Sequence, residues 1–462
     1  MKSTLLSIVV LTLACLIGCG SSDEGAKTGV RKVRKKLPAK TVKTEQAKPG
    51  QEKPAAKQTG PDKATVEAAL KRVQELNGKS ERKGDVLLGI DLSDRAATNA
   101  DLKLFGALTD LKQLKLYGPE ITNEGIAHLA GLSNLEDLLL QKTNMTEEAM
   151  PTIVKLKALK SLNLRDNGKM RDGALKYIQQ LPNLERLSLL YNEYTDAGMV
   201  HLKDLKKLRL LDLRGNPQIG DAGLEQLKGL TNLVSLKFRL SPITDAGAKV
   251  FKGLTKLKAV ALEDSKITDA GLAELKDLPI EDLDVMRCTP ITDEGLVNLA
   301  GFKNLKQLAL RGIPLNGSGL VHIKGASKLK TLDLSETIVD DAGLANVAAL
   351  TGLESLELWN TRITGEGLKH LAGLKNLKEL DLENTYLEDA AMAQVAALTS
   401  LEKLKLKENP ITDAGLEHLK KLTNLKSLDL SVNTQITDEG VAKLQEALPK
   451  CQIVRQAGSA RE

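Results

Sequence analysis

One stretch is written about fourteen times in this chain, and its clearest copy is LEKLKLKENPITDAGLEHLKKLTN, residues 401–424. Inside a single copy the apolar period changes. Leu404 and Leu406 stand two apart, the spacing of a strand, whereas Leu416, Leu419 and Leu422 stand three apart, which suits a helix. The Asn409-Pro410 pair breaks the first element. Thr412 and Asp413 are both placed to cap the helix that follows, by accepting hydrogen bonds from its free amides. Each unit therefore reads as a short strand, a turn and a short helix. One unit cannot cover its leucines on both sides, but stacked units close one another's faces.

A degenerate unit starts at Leu87, and full units start at Leu111, Leu135, Leu159, Leu184, Leu208, Leu233, Leu257, Ile280, Leu305, Leu329, Leu353, Leu377, Leu401 and Leu425. Spacings of 23 to 25 residues leave no room for an inserted domain. A compact core of this length would split into domains, whereas a stack simply extends. Only 2% of the residues are aromatic, so leucine must supply the core. Leu278-Pro279 compresses the entry to the Ile280 unit, which predicts a small irregularity there. The first unit needs a cover, because an uncapped stack exposes leucines and open strand edges. Val66, Leu70, Val73 and Leu76 give 65–77 an amphipathic helical pattern, and Lys83-Gly84-Asp85 predicts a tight turn before a strand over 86–92. Residues 64–86 are thus the expected N-terminal cap, 87–447 the repeat stack, and 448–462 a closing part-unit and tail.

The pattern LxxLxLxx(T/N)xITDxGLxxL is similar to the leucine-rich repeat. Its Ile-Thr-Asp-x-Gly-Leu half resembles the subfamily found in F-box-associated proteins and in many bacterial surface proteins. The resemblance covers roughly four-fifths of the chain. It implies an α/β solenoid, a horseshoe with parallel strands on the concave face and helices on the convex face. It also implies a monomer that binds a protein, or a glycan, through the concave face. The pattern is specific for fold and weakly specific for function. The F-box likeness raises a ubiquitin-ligase substrate receptor as a further role, and the export leader described next argues against it.

Residues 1–18 carry a positive start at Lys2 and a mostly apolar run from Leu5 to Ile17, the pattern of a secretory leader too short for a comfortable membrane span. It ends in Leu16-Ile17-Gly18-Cys19, which resembles the bacterial lipoprotein box. The resemblance implies that Cys19 is lipidated and anchors the chain to a cell envelope. Gly20, rather than Asp, implies sorting to an outer membrane or cell surface. Residues 19–63 form a basic Lys/Pro/Ala-rich segment without apolar period, expected to be a disordered tether. The chain carries +6 in all; Lys2 contributes +1 and 20–63 contribute +7, so the remainder is about −2. As a flexible coil the tether would span roughly 35 Å, with an extended limit near ~140 Å. Contact of Arg31–Lys36 with anionic lipid or wall polymer competes with a plain solvated spacer. Nucleic acid is not an expected partner, since no aromatic residue interleaves these charges.

The sequence offers no reaction chemistry, and neither a cofactor nor a metal is expected. His128, His201, His322, His370 and His418 occupy one helical slot in units that are never adjacent, so they cannot converge on an ion. Cys288 and Cys451 lie seven units apart, roughly 35 Å at ~4.8 Å per strand, far beyond disulfide reach. Gly78-Lys79-Ser80 resembles the end of a phosphate-binding loop, but Val73 stands where that motif needs its first glycine.

Partner-binding candidates come from the strand residues between the two leucines and just after the second one. Read down the stack, they give Tyr117, Arg165, Tyr191, Arg214 and Arg239 in the N-terminal half. Trp359 stands amid Glu357 and Asp381, with Asp333 and Glu383 beside them, in the C-terminal half. Tyr, Trp and Arg are the usual anchors of interfaces. On this reading Arg214→Glu weakens binding, and a helix-side change such as Lys421→Glu does not.

Overall fold

The computed structural model describes residues 60–456. The leader, Cys19 and the basic segment up to residue 59 lie outside them. The described part contains one seventeen-stranded sheet. Strand follows strand in chain order, and every pairing is parallel except the first. The leucines stand in register from unit to unit: Leu356 faces Leu380, Leu380 faces Leu404, and Leu404 faces Leu428. The compressed Ile280 unit keeps this register with both neighbours. Both strand leucines of each unit, and the leucines of its helical half, are buried in one continuous aliphatic core. Burying each such side chain contributes about 1.5–3 kcal/mol. This is the α/β leucine-rich-repeat solenoid that the repeat pattern predicts.

The N-terminal end is closed by helix α1 (Lys63–Glu75) and a hairpin of β1 (Lys79–Lys83) with β2 (Val86–Ala96). Asp62 caps α1 by accepting from the Thr65 amide at 2.7 Å. Val66, Ala69 and Val73 cover the first leucines. β1 reads Lys-Ser-Glu-Arg-Lys and is exposed throughout, a charged edge that discourages further strand pairing. At the far end the last strand, Gln452–Val454, pairs with the strand Ser427–Asp429.

Most strands are only three to five residues long. What ends them is a backbone turn, not proline. In each full unit the second residue after the second strand leucine has positive φ, as in Asp166 (58°), Tyr191 (53°), Asp264 (56°) and Glu408 (59°). Gly118, Gly215 and Gly312 serve in three units. Next comes a buried polar row. Asn167, Asn192, Asn216, Asn409 and Asn433 donate to leucine carbonyls of their own or the preceding unit at 2.8–3.1 Å. Each also accepts a backbone N–H of the preceding unit. Asn409 thus matters as a bridge between units more than as a strand breaker. Cys288 occupies the same row, with its Sγ 2.9 Å from the Leu262 carbonyl; Cys288 and Cys451 are both buried free thiols.

The helical halves begin differently from the sequence expectation. Thr412 does cap its own helix, accepting from the Ala414 amide at 3.1 Å. Asp413 does not. Its carboxylate crosses to the next unit and accepts both the amide and the hydroxyl of Thr437, at 2.8 and 2.6 Å. The same two-bond clamp joins Asp172 to Thr195, Asp221 to Thr244, Asp245 to Thr268, Asp269 to Thr292, Asp341 to Thr364 and Asp389 to Thr412. The motif glycine follows from this. A Cβ on Gly247 or Gly415 would fall 2.3 or 2.4 Å from the preceding unit's aspartate Oδ1. At one junction both are lost: Gly365 stands in the aspartate slot and Ala391 in the glycine slot of the next unit. A Cβ on Gly365 would lie 3.2 Å from the Ala391 methyl.

The opposite edge, just before each strand, carries alternating charge. Lys112–Glu136–Lys160, Lys258–Glu281–Lys306 and Lys330–Glu354–Lys378 form ion-paired triplets at 2.6–3.8 Å. Hydrogen bonds from Lys258 and Lys306 hold Glu281 down at about 2. Within each triplet, skipping a unit would set two lysines side by side, so the pairing there favours the native stacking.

Candidate functional site

The exposed sheet face lies opposite the helical halves and displays the residues between the leucines. Its aspartates have a local task first. Asp212, Asp284, Asp333, Asp381 and Asp429 each accept, through Oδ1, the amide two residues later, at 2.9–3.3 Å. They help turn the chain out of the strand, in the manner of an Asx turn.

The N-terminal part of this face is open. Tyr117 and Gln141 are half-buried neighbours in paired strands. Arg165 is exposed and its guanidinium lies 5.7 Å from the centre of the Tyr191 ring, a cation–π distance. Tyr191 takes positive φ, which swings its ring over the next unit. A Cβ on Gly215 would lie 2.3 Å from Tyr191 Cδ1, so glycine is needed beneath that ring. Arg165 and Tyr191 have no salt-bridge or side-chain hydrogen-bond partner among the described residues.

The centre is closed by its own charges. Arg214 grips Asp212 with two bonds, of 3.0 and 2.8 Å, and lies 3.7 Å from Glu263. Arg239 approaches Glu263 and Asp264 at 3.4 and 3.6 Å. Arg287 binds Asp264 at 2.5 and 2.9 Å. Glu263 sits among the three guanidiniums with its side chain only 6% exposed. Arg214 and Arg239 are therefore held in a network that joins four neighbouring units. Beside it, burial pushes Asp284 up to about 6, and the charges of Glu263 and Asp282 add to that.

In the C-terminal part Arg311 stacks on Trp359 at 4.6 Å while its Nε donates to Glu336 at 2.6 Å. Burial raises Glu357, and Asp333 and Asp381 raise it further. Asp381 is buried and takes the Lys405 ammonium at 2.7 Å; Lys407 pairs with Glu383. The five histidines stay apart on the helical side, exposed or half-exposed. No cluster of three metal-ligating side chains occurs among the described residues.

The structure thus brings together Arg165 with Tyr191, and Arg214 with Arg239 around Glu263. Tyr117 stands two units before Arg165 in the same open part of the face, and Trp359 in a separate neighbourhood. Asp264, Arg287 and Glu336 occupy the positive-φ slot just beyond the strand, the slot of Tyr191, and are not among the sequence candidates. A groove of about 890 Å³ also runs along the turn edge past Ile338, Arg362, Gly365 and Tyr386. Tyr386 is 76% exposed there. Its one trace in the sequence is the paired loss of aspartate at Gly365 and of glycine at Ala391.

Comparison with known proteins agrees with this architecture. Leucine-rich-repeat family models match residues 351–411, 204–228 and 279–300, and a two-copy leucine-rich-repeat model matches 399–442. No curated protein matches. Among solved structures, an internalin of Listeria monocytogenes is 22% identical with a TM-score of 0.51, over 81% of this chain and 98% of its own. A leucine-rich-repeat protein of Leptospira interrogans is 23% identical with a TM-score of 0.51, over 79% of this chain and 96% of its own. No enzymatic family is indicated. The matched residues are leucine-rich repeats, and the described part has the fold of a leucine-rich-repeat solenoid.

Proposed function

We propose that this chain is a non-enzymatic binding module, anchored to a bacterial cell envelope through lipidated Cys19, that takes a protein partner on the concave face of its solenoid. The observation that carries the reading is the open pair Arg165 and Tyr191. Both are exposed, they stack on each other, and neither has a bond to lose on meeting a partner. An interface anchor gains most when it enters a contact already oriented and without breaking a native bond. Tyr117, in the strand Gln113–Tyr117, extends the same open region. Arg214 and Arg239 serve this reading as a rigid floor, since binding through them would first break their ion pairs. The Trp359 region is a second contact in the same partner's footprint. A scaffold or spacer role rests on the +7 charge of residues 20–63, which suits anionic lipid or wall polymer.

The test is capture from envelope extract by the full chain, by a copy carrying Arg165→Glu with Tyr191→Ala, and by a Cys19→Ala copy. We expect one partner retained by the wild type and weakened about 30-fold or more in the double variant. The Cys19→Ala copy should leave the membrane fraction and still capture the partner. Equal capture by wild type and double variant would remove the concave-face assignment. Saturation by anionic polymer alone would favour the scaffold.

A further inference from the structure

The alternating charges on the pre-strand edge break in two places: Lys306 and Lys330 stand side by side, and an apolar residue replaces an acid at Val234. Through six successive units that edge reads Lys160, Glu185, Arg209, Val234, Lys258 and Glu281. Val234 stands where alternation demands an acid. The backbone confirms the alignment: the Arg209 amide donates to the Glu185 carbonyl, Val234 to Arg209 and Lys258 to Val234, at 2.7–2.9 Å. Lys258 keeps its partner on the far side, Glu281, at 2.7 Å. Arg209 is exposed and has no salt-bridge partner among the described residues.

Two lysines lean over the gap. Lys207 donates to Asn183 Oδ1 at 2.8 Å and Lys256 to Asn232 Oδ1 at 2.6 Å, so each ammonium is held in place by a neutral group. Together these residues enclose a recess of about 410 Å³, lined by Glu185, Lys207, Arg209, Asn232, Val234 and Lys256. Three cations against the one carboxylate of Glu185 leave the lining at +2. The described part as a whole is slightly negative, so this excess is local. Elsewhere on the edge, in the triplets centred on Glu136, Glu281 and Glu354, a glutamate sits between two lysines.

We propose that the recess binds a phosphate group. Arg209 offers a planar fork of donors, and Lys207 and Lys256 offer point charges from the two flanking units, three donors suited to the oxygens of a tetrahedral phosphate. The missing glutamate at Val234 leaves the site vacant for an external anion. The phosphate comes from an anionic lipid headgroup or from free phosphate. This site lies on the edge of the solenoid, apart from the sheet face that takes the protein partner, so the two readings stand or fall separately.

Val234→Glu is the discriminating variant. It removes no basic residue, and Glu already occupies the equivalent position at 136, 185, 281, 354 and 402. The full chain should keep its fold and melt no lower than wild type. Binding is read with inorganic phosphate by calorimetry, and with phosphatidylcholine vesicles containing phosphatidylglycerol by co-sedimentation. We expect Val234→Glu and Arg209→Ala each to weaken phosphate binding about tenfold, and Lys421→Glu to leave it unchanged. A matching drop in vesicle binding assigns the lipid headgroup as source, and a drop with free phosphate alone assigns the soluble ion. Absence of phosphate and vesicle binding by the wild type, or equal binding by wild type and Val234→Glu, overturns the proposal.

Discussion

Two stretches of one sheet face carry the same kinds of residue and differ in what those residues can do. Around Arg165 and Tyr191 the side chains are exposed and have no carboxylate to hold. Around Arg214, Arg239 and Arg287 the guanidiniums are spent on Asp212, Glu263 and Asp264. An arginine in the right column is a candidate anchor only if its neighbours leave it free. Availability is set by the adjacent units, about 24 residues away in the chain and one strand spacing away in space.

The comparison is broken most severely at Glu263. Glu263→Gln leaves three guanidiniums facing a neutral amide in a mostly buried setting. Removing one member of a fully buried pair costs about 3–5 kcal/mol; here the arginine side chains are 31–37% exposed, and a loss of about 2–3 kcal/mol is expected. Thermal melts should show it, and Arg165→Glu, in the open stretch, should barely move the melting point. An equal drop for both would erase the distinction between closed and open regions.

The pH response sharpens the same contrast. Burial, then the charges of Glu263 and Asp282, hold Asp284 at about 6, above its ordinary value of 3.8. The folded state therefore binds this proton more tightly than the unfolded state. Its contribution to stability is full below about pH 4 and is lost as pH rises through about 6. Asp284→Asn should raise the melting temperature above about pH 7, and the gain over wild type should vanish below about pH 4. The amide oxygen of Asn can still accept the Met286 amide, so the turn survives. A gain that does not change with pH would show that Asp284 is not strained by its charge.

The smallest expected effect concerns the aspartate–threonine clamps, which recur at seven junctions of the stack. Asp389→Ala removes two acceptors from Thr412 and should cost about 1–2 kcal/mol. At the junction without a clamp, Gly365→Asp and Ala391→Gly should each be unfavourable alone and better together, with a coupling of about 1 kcal/mol. Additive single effects in that cycle would remove the explanation given for the motif glycine.

Much of the fold was legible because each unit repeats its instructions. A leucine spacing that switches from two to three, restated in fourteen registers, leaves few alternatives to a stack. Thr412 announced its cap. The role of Asp413 was not legible, because its target lies in the next unit and nothing local distinguishes a self-cap from a clamp across units. Glycine in the motif was equally opaque until the neighbouring carboxylate was seen in the space its Cβ would fill. Most candidate residues were found by column; Tyr191, in the positive-φ slot one step outside the columns, was singled out as an aromatic, while the charged Asp264 and Arg287 in the same slot were passed over.

The sequence by itself determined the strand–turn–helix unit, the register of stacking and the aliphatic core. Those follow from periodicity, which is a local property repeated along one dimension. Only the tertiary structure decided which charges are free. It spent Arg214 and Arg239 on Glu263, left Arg165 stacked and open, and exposed the gap at Val234. Ion pairing depends on which side chains meet across strands about 5 Å apart, and no local pattern in the chain records those meetings.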